Sequence, residues 1–106
     1  MFEKFIEKQR ADKERREREL ADMRERERIS LINETRELLT ISNKNVIEIN
    51  SSINNFNFRL NYIRGDNRGE TRKRRESLRK LIDLYITRLN EELYWVEYYE
   101  HKLKRL

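Results

Sequence analysis

Between Ile32 and Leu106 the apolar residues recur at alternating intervals of three and four, the mark of helices with one narrow buried seam. In the first half, Ile32, Leu39, Val46, Ile53 and Leu60 take one core position, and Thr35, Ser42, Ile49, Phe56 and Ile63 take the other. In the second half the seam is Leu78, Ile82, Tyr85, Leu89, Glu92, Val96, Tyr99, Leu103 and Leu106. Between them, residues 60–71 hold both glycines of a chain that has no proline, so the backbone turns there at least cost.

If that stretch is a hairpin tip, facing residues have a constant sum of residue numbers. Ile32/Leu103, Leu39/Val96, Val46/Leu89 and Ile53/Ile82 all sum to 135, while Thr35/Tyr99, Ser42/Glu92, Ile49/Tyr85 and Phe56/Leu78 sum to 134. The predicted fold is therefore all-α: a long antiparallel helical hairpin of coiled-coil type over residues 29–106, with its tip at 64–70. The competing reading breaks the first helix at Ser42 or Asn43, each a good N-cap, and gives three shorter helices. The unbroken phase of the seam favours one continuous helix, with room for a kink at 42–45. The second helix is expected to start near Glu70 or Thr71, with Thr71 as its cap.

Residues 1–28 follow another rule. They carry ten Lys/Arg and nine Asp/Glu, with Glu14/Arg18, Asp12/Arg16 and Asp22/Arg26 at i,i+4 in the favourable acid-first order. That composition predicts a solvated N-terminal helical extension. The interleaved acids argue against a DNA-binding basic region, because they would face the phosphates too. Two apolar clusters interrupt the charge: Phe2, Phe5 and Ile6, then Leu20 and Met23. Clusters of this kind on a protruding helix need a second protomer or a partner protein to cover them.

The seam is also flanked by more apolar residues than two helices use. Leu81, Leu84, Ile86, Leu93, Tyr94, Trp95 and Tyr98 widen the second arm; Ile29, Leu31, Leu38, Ile41 and Ile47 widen the first. A stripe this broad implies packing on more than one helix, and a homodimer forming a four-helix bundle is the economical arrangement. Tyr94, Trp95 and Tyr98 are of the types enriched at binding hot spots. With Phe2, Phe5 and Ile6 they are the candidate protein-binding residues.

Net charge concentrates at the tip, where residues 64–80 sum to +5, equal to the net charge of the whole chain. Arg64, Arg68, Arg72, Lys73, Arg74, Arg75, Arg79 and Lys80 are the candidate contacts for nucleic acid or for an acidic partner. Basic residues are not favoured in the first turn of a helix, so the run from Arg72 to Arg75 has a cost that a binding role would explain.

Catalytic chemistry is not indicated. There is no cysteine, and His101 is the only histidine, so one chain lacks the ligands of a typical zinc site. No glycine-rich phosphate loop or nucleophile elbow occurs. No cofactor and no enzymatic activity are expected. The start of the chain has no signal-peptide core and no run suits a membrane span, so the expected location is cytoplasmic. Arg64-Gly65-Asp66 matches an adhesion tripeptide, but is read here as turn residues. The functional expectation is a non-enzymatic coiled-coil protein that binds a protein target and regulates, inhibits or scaffolds it, in the manner of a phage- or mobile-element-type modulator. Nucleic-acid binding through 64–80 and a structural or filament role are the alternatives.

Overall fold

The computed structural model describes residues 2–63 and 69–106 as two helices, α1 (Phe2–Tyr62) and α2 (Gly69–Arg105). The expected turn residues Arg64, Gly65, Asp66, Asn67 and Arg68 lie outside the described residues. The two helices pack side by side into a rod of 101 × 17 × 14 Å. At 1.5 Å per residue, α1 alone spans about 90 Å of that length. A helix that fills the long axis so fully leaves no room for a sharp bend, and Ser42–Asn45 is helical without interruption. The heptad phase overrides the local capping tendency of Ser42 and Asn43.

Burial separates the two sets of apolar residues without exception. Every seam residue on both arms is buried or half-buried, and each flanking apolar residue named above is exposed. Among the described residues, buried positions are few: Thr35, Ser42 and Ile82. Thr35 is the most enclosed, at 1% exposure, and its hydroxyl donates back to the Leu31 carbonyl at 2.7 Å. Two helices alone cannot enclose more, because each seam residue has neighbours on one side only.

Contacts across the seam fall at several sums around the expected ones, from 134 for Arg28 with Leu106 upward. Phe56 meets Tyr85, with ring centroids 5.0 Å apart, one heptad beyond Leu78. Glu92, expected opposite Ser42, accepts a hydrogen bond from Asn45 Nδ2 at 3.3 Å. A heptad seam satisfies several registers: Ile53/Tyr85, Phe56/Ile82 and Leu60/Leu78 share the sum 138 as evenly as the expected pairs share theirs. Helical side chains also lean toward their own N-terminus, so on antiparallel helices they meet at a higher residue sum than the backbones do.

The start of α2 falls within a residue of the expected Glu70, but its cap differs. Helix begins at Gly69, and Thr71 is a half-buried member of the seam instead of a cap. Thr71, Arg75 and Leu78 continue the four-and-three spacing toward the tip.

At the other end, Arg28 Nε donates to the Leu106 carbonyl at 2.6 Å, which places Leu106, next after α2, beside Arg28. Residues 2–27 of α1 run on without a second helix beside them, an overhang of about 40 Å. Its ion pairs are local: Arg15 with Asp12 and Glu19 at 3.7 and 3.9 Å, and Arg18 with Glu14 at 3.9 Å. All are exposed, and each pair contributes only a few tenths of a kcal/mol.

Candidate docking face

Two stripes border the seam on the same side of the hairpin. On α1 the stripe contains Leu31, Leu38, Ile41, Asn45, Ser52, Arg59 and Tyr62; on α2 it contains Arg74, Ser77, Leu81, Leu84, Trp95 and Tyr98. Members of each are spaced by three, four or seven, or by sums of these, and so share a helix face. That the stripes adjoin is shown near the tip, where Arg59 and Tyr62 line one groove together with Arg74 and Ser77. The flank of α1 on the other side is more polar: Arg36, Asn43, Asn50 and Asn57 follow Ile29 at intervals of seven, all exposed. Ile29 and Ile47 on α1 and Ile86 and Leu93 on α2 are the exposed apolar residues of that side, and the larger share of the apolar surplus lies on the first, open face.

The tip groove encloses about 590 Å³. Phe58, Tyr62, Ile63 and Leu78 supply its apolar wall, and Arg59, Lys73 and Arg74 bring the cations. Phe58 and Tyr62, one turn apart, stack with centroids 6.1 Å apart and ring planes at 28°. Neither was singled out from the sequence, because Phe58 falls on the outer side of the heptad and Tyr62 next to the glycines.

Farther along α2 the aromatic residues form a continuous ladder. Trp95 makes edge contacts with Tyr94 and Tyr98, at 5.5 and 5.7 Å, and stacks on Tyr99 at 5.9 Å. Tyr99 belongs to the seam, so the exposed indole is held by a side chain anchored in the core. Tyr94 is 62% exposed, and Trp95 and Tyr98 are each 45% exposed. Large rings that are fixed and open lose little entropy on binding, which suits them to a docking role.

The predicted contacts are distributed as follows. Tyr94, Trp95 and Tyr98 come together. Phe2, Phe5 and Ile6 do not join them: they are exposed at the far end of the overhang, and Phe5 lies forty residues, about 60 Å of helix, from Asn45 at the level of Glu92. Arg64 and Arg68 lie outside the described residues. The remaining basic residues divide. Arg72 with Arg79 and Lys73 with Lys80 form an exposed stripe, Lys73 and Arg74 also line the groove, and Arg75 is half-buried in the seam with its Nε enclosed and lacking a hydrogen-bond partner among the described residues. Arg59, on the other arm, adds a cation that the sequence reading left out.

Among the described residues no cluster of three or more His, Cys, Asp or Glu is arranged to hold a metal ion. The one histidine, His101, sits 3.7 Å from Glu97 on an exposed surface of α2. No helix among the described residues is long and apolar enough to cross a membrane. Comparison of the chain with protein-family models, with curated proteins and with solved structures gives no match.

Proposed function

We propose that this chain is a non-enzymatic helical-hairpin interaction protein, which binds a protein target through its open face and regulates, inhibits or scaffolds it. The observation that carries the reading is the ladder of Tyr94, Trp95 and Tyr98, exposed yet braced by Tyr99 of the seam. Leu38 and Ile41 on the neighbouring helix broaden the surface to a width that suits an incoming amphipathic helix. Homodimerisation belongs to the same reading, since a second copy would supply the further helix that so broad an apolar stripe calls for. The test is capture from cells by the full chain, compared with a Trp95→Ala, Tyr98→Ala variant whose helicity is checked by circular dichroism. A target retained by the first and lost by the second supports the reading. Equal capture by both removes the face from the account.

A second reading has its own observation, the exposed stripe of Arg72, Lys73, Arg79 and Lys80. These cations suit a phosphate backbone, and duplex binding would weaken with salt at a log–log slope of about −0.9 per phosphate neutralised. Charge reversal at Arg72 and Arg79 would abolish it. Binding that ignores either change sets the nucleic-acid reading aside.

A further inference from the structure

We propose that the open face is occupied at rest by the overhang of a second copy of this chain, lying antiparallel to α1 and parallel to α2. The inference rests on the reading of that face as a helix-docking surface, and it names the occupant.

Spacing carries the argument. On the overhang, Phe2 and Leu20 are eighteen residues apart, and so are Phe5 and Met23. Eighteen residues make five full helical turns, so both apolar clusters lie on one face, about 27 Å apart. On α2, Ser77 in the tip groove and Trp95 in the aromatic ladder are separated by the same eighteen residues. One placement of the overhang therefore seats both clusters together, Phe5 at the groove and Met23 beside Trp95.

The placement also closes on itself. Extended along the seam, the side-chain register of the Asn45–Glu92 contact matches Ser77 to Leu60 and Trp95 to Ser42. Phe5 then lies beside the partner's Leu60 and Met23 beside its Ser42, two pairs with the same sum of 65, as one antiparallel alignment of the two α1 helices requires. The relation is unchanged when the copies are exchanged, so the pair is a closed two-fold dimer and not an open chain. Its centre falls near Ile32 and Asn33. Each α2 ends beside Arg28, which this alignment sets opposite residue 37 of the second copy, so the last turns of the two α2 helices pass one another at the centre. Away from the centre three helices are packed at each level of the rod: α1, α2 and the second copy's overhang.

Charge selects the rotation. Glu3 and Glu7 lie on one shoulder of the Phe2/Phe5/Ile6 wedge and Lys4 and Lys8 on the other. The groove presents Lys73 and Arg74 on its α2 side, so the acidic shoulder turns toward α2. A target that docks on the same face displaces the overhang, which makes dimerisation and target binding compete.

The absence of cysteine allows a direct test. Single-cysteine variants are mixed in pairs and oxidised, with circular dichroism confirming that each is folded. Phe5→Cys with Ser77→Cys, and Met23→Cys with Ile41→Cys, are expected to form disulfide-linked dimers. Phe5→Cys with Ile41→Cys, which this arrangement holds five turns apart, is expected to remain unlinked. A chain that sediments as a monomer at high micromolar concentration overturns the proposal, as does linkage of the control pair in preference to the other two. That failure is distinct from failure of the docking face itself, which the Trp95 and Tyr98 capture comparison reads separately.

Discussion

Phe56 on α1 and Tyr85 on α2 meet edge to face, with ring planes at 89°. They form a direct side-chain link between the two arms. Both are half-buried and both hold seam positions. Such pairs contribute about 0.5–1.5 kcal/mol beyond the area they bury. A double-mutant cycle of Phe56→Leu and Tyr85→Leu, followed by urea unfolding, is expected to return a coupling energy in that range. Additive losses would mean that the rings do not meet in solution.

Arg75 belongs to the seam and not to the basic surface. Its enclosed Nε has no partner among the described residues, and an unsatisfied buried donor costs about 1–3 kcal/mol. Arg75→Leu extends the apolar spacing of Leu78 and Ile82 by one step and is expected to raise the unfolding free energy by about 1 kcal/mol or more, read from urea titration. The same substitution at exposed Arg72 is expected to leave stability nearly unchanged, within about 0.5 kcal/mol.

The Asn45–Glu92 hydrogen bond gives the hairpin a polar marker within an otherwise repetitive seam. A lone polar layer costs stability and restricts register. Glu92→Leu is expected to raise thermal stability while loosening register, visible as doubled amide resonances for seam residues. A variant that is more stable and still gives a single set of resonances would assign register to the turn alone.

Gly69 is helical, without a positive φ, and a Cβ added to it would meet nothing within 4 Å. Gly69→Ala is therefore expected to stabilise the hairpin by about 0.4–1 kcal/mol, chiefly by restricting the unfolded chain. A lower urea midpoint would show that Gly69 adopts a conformation closed to alanine.

Much of this architecture was legible in the sequence for one physical reason. Burial in a two-helix pair is decided by spacing, and spacing is a local property of the chain. Ile32 through Ile63 and Leu78 through Leu106 were assigned to the seam residue by residue, and all are sheltered. Register was not legible, because a seven-residue repeat fits Phe56 against Leu78 or Tyr85 equally well, and one heptad apart costs nothing in pattern. The exposed aromatic residues were identified by type, since surplus rings beside a full seam have nowhere to go. The tip groove was missed because it depends on Phe58 and Tyr62 of one helix meeting Lys73 and Arg74 of the other. That is a relation between arms which neither arm displays alone.

Trp95 is the only tryptophan, so its fluorescence reports on the open face without labelling. The most direct measurement follows its emission from nanomolar to high micromolar protein, alongside sedimentation. The account predicts that emission shifts to the blue and acrylamide quenching falls as the dimer forms. A Phe5→Glu, Met23→Glu variant should keep the emission of the dilute chain throughout. Emission that stays constant while sedimentation reports a dimer would place the interface elsewhere and contradict the assignment of this face.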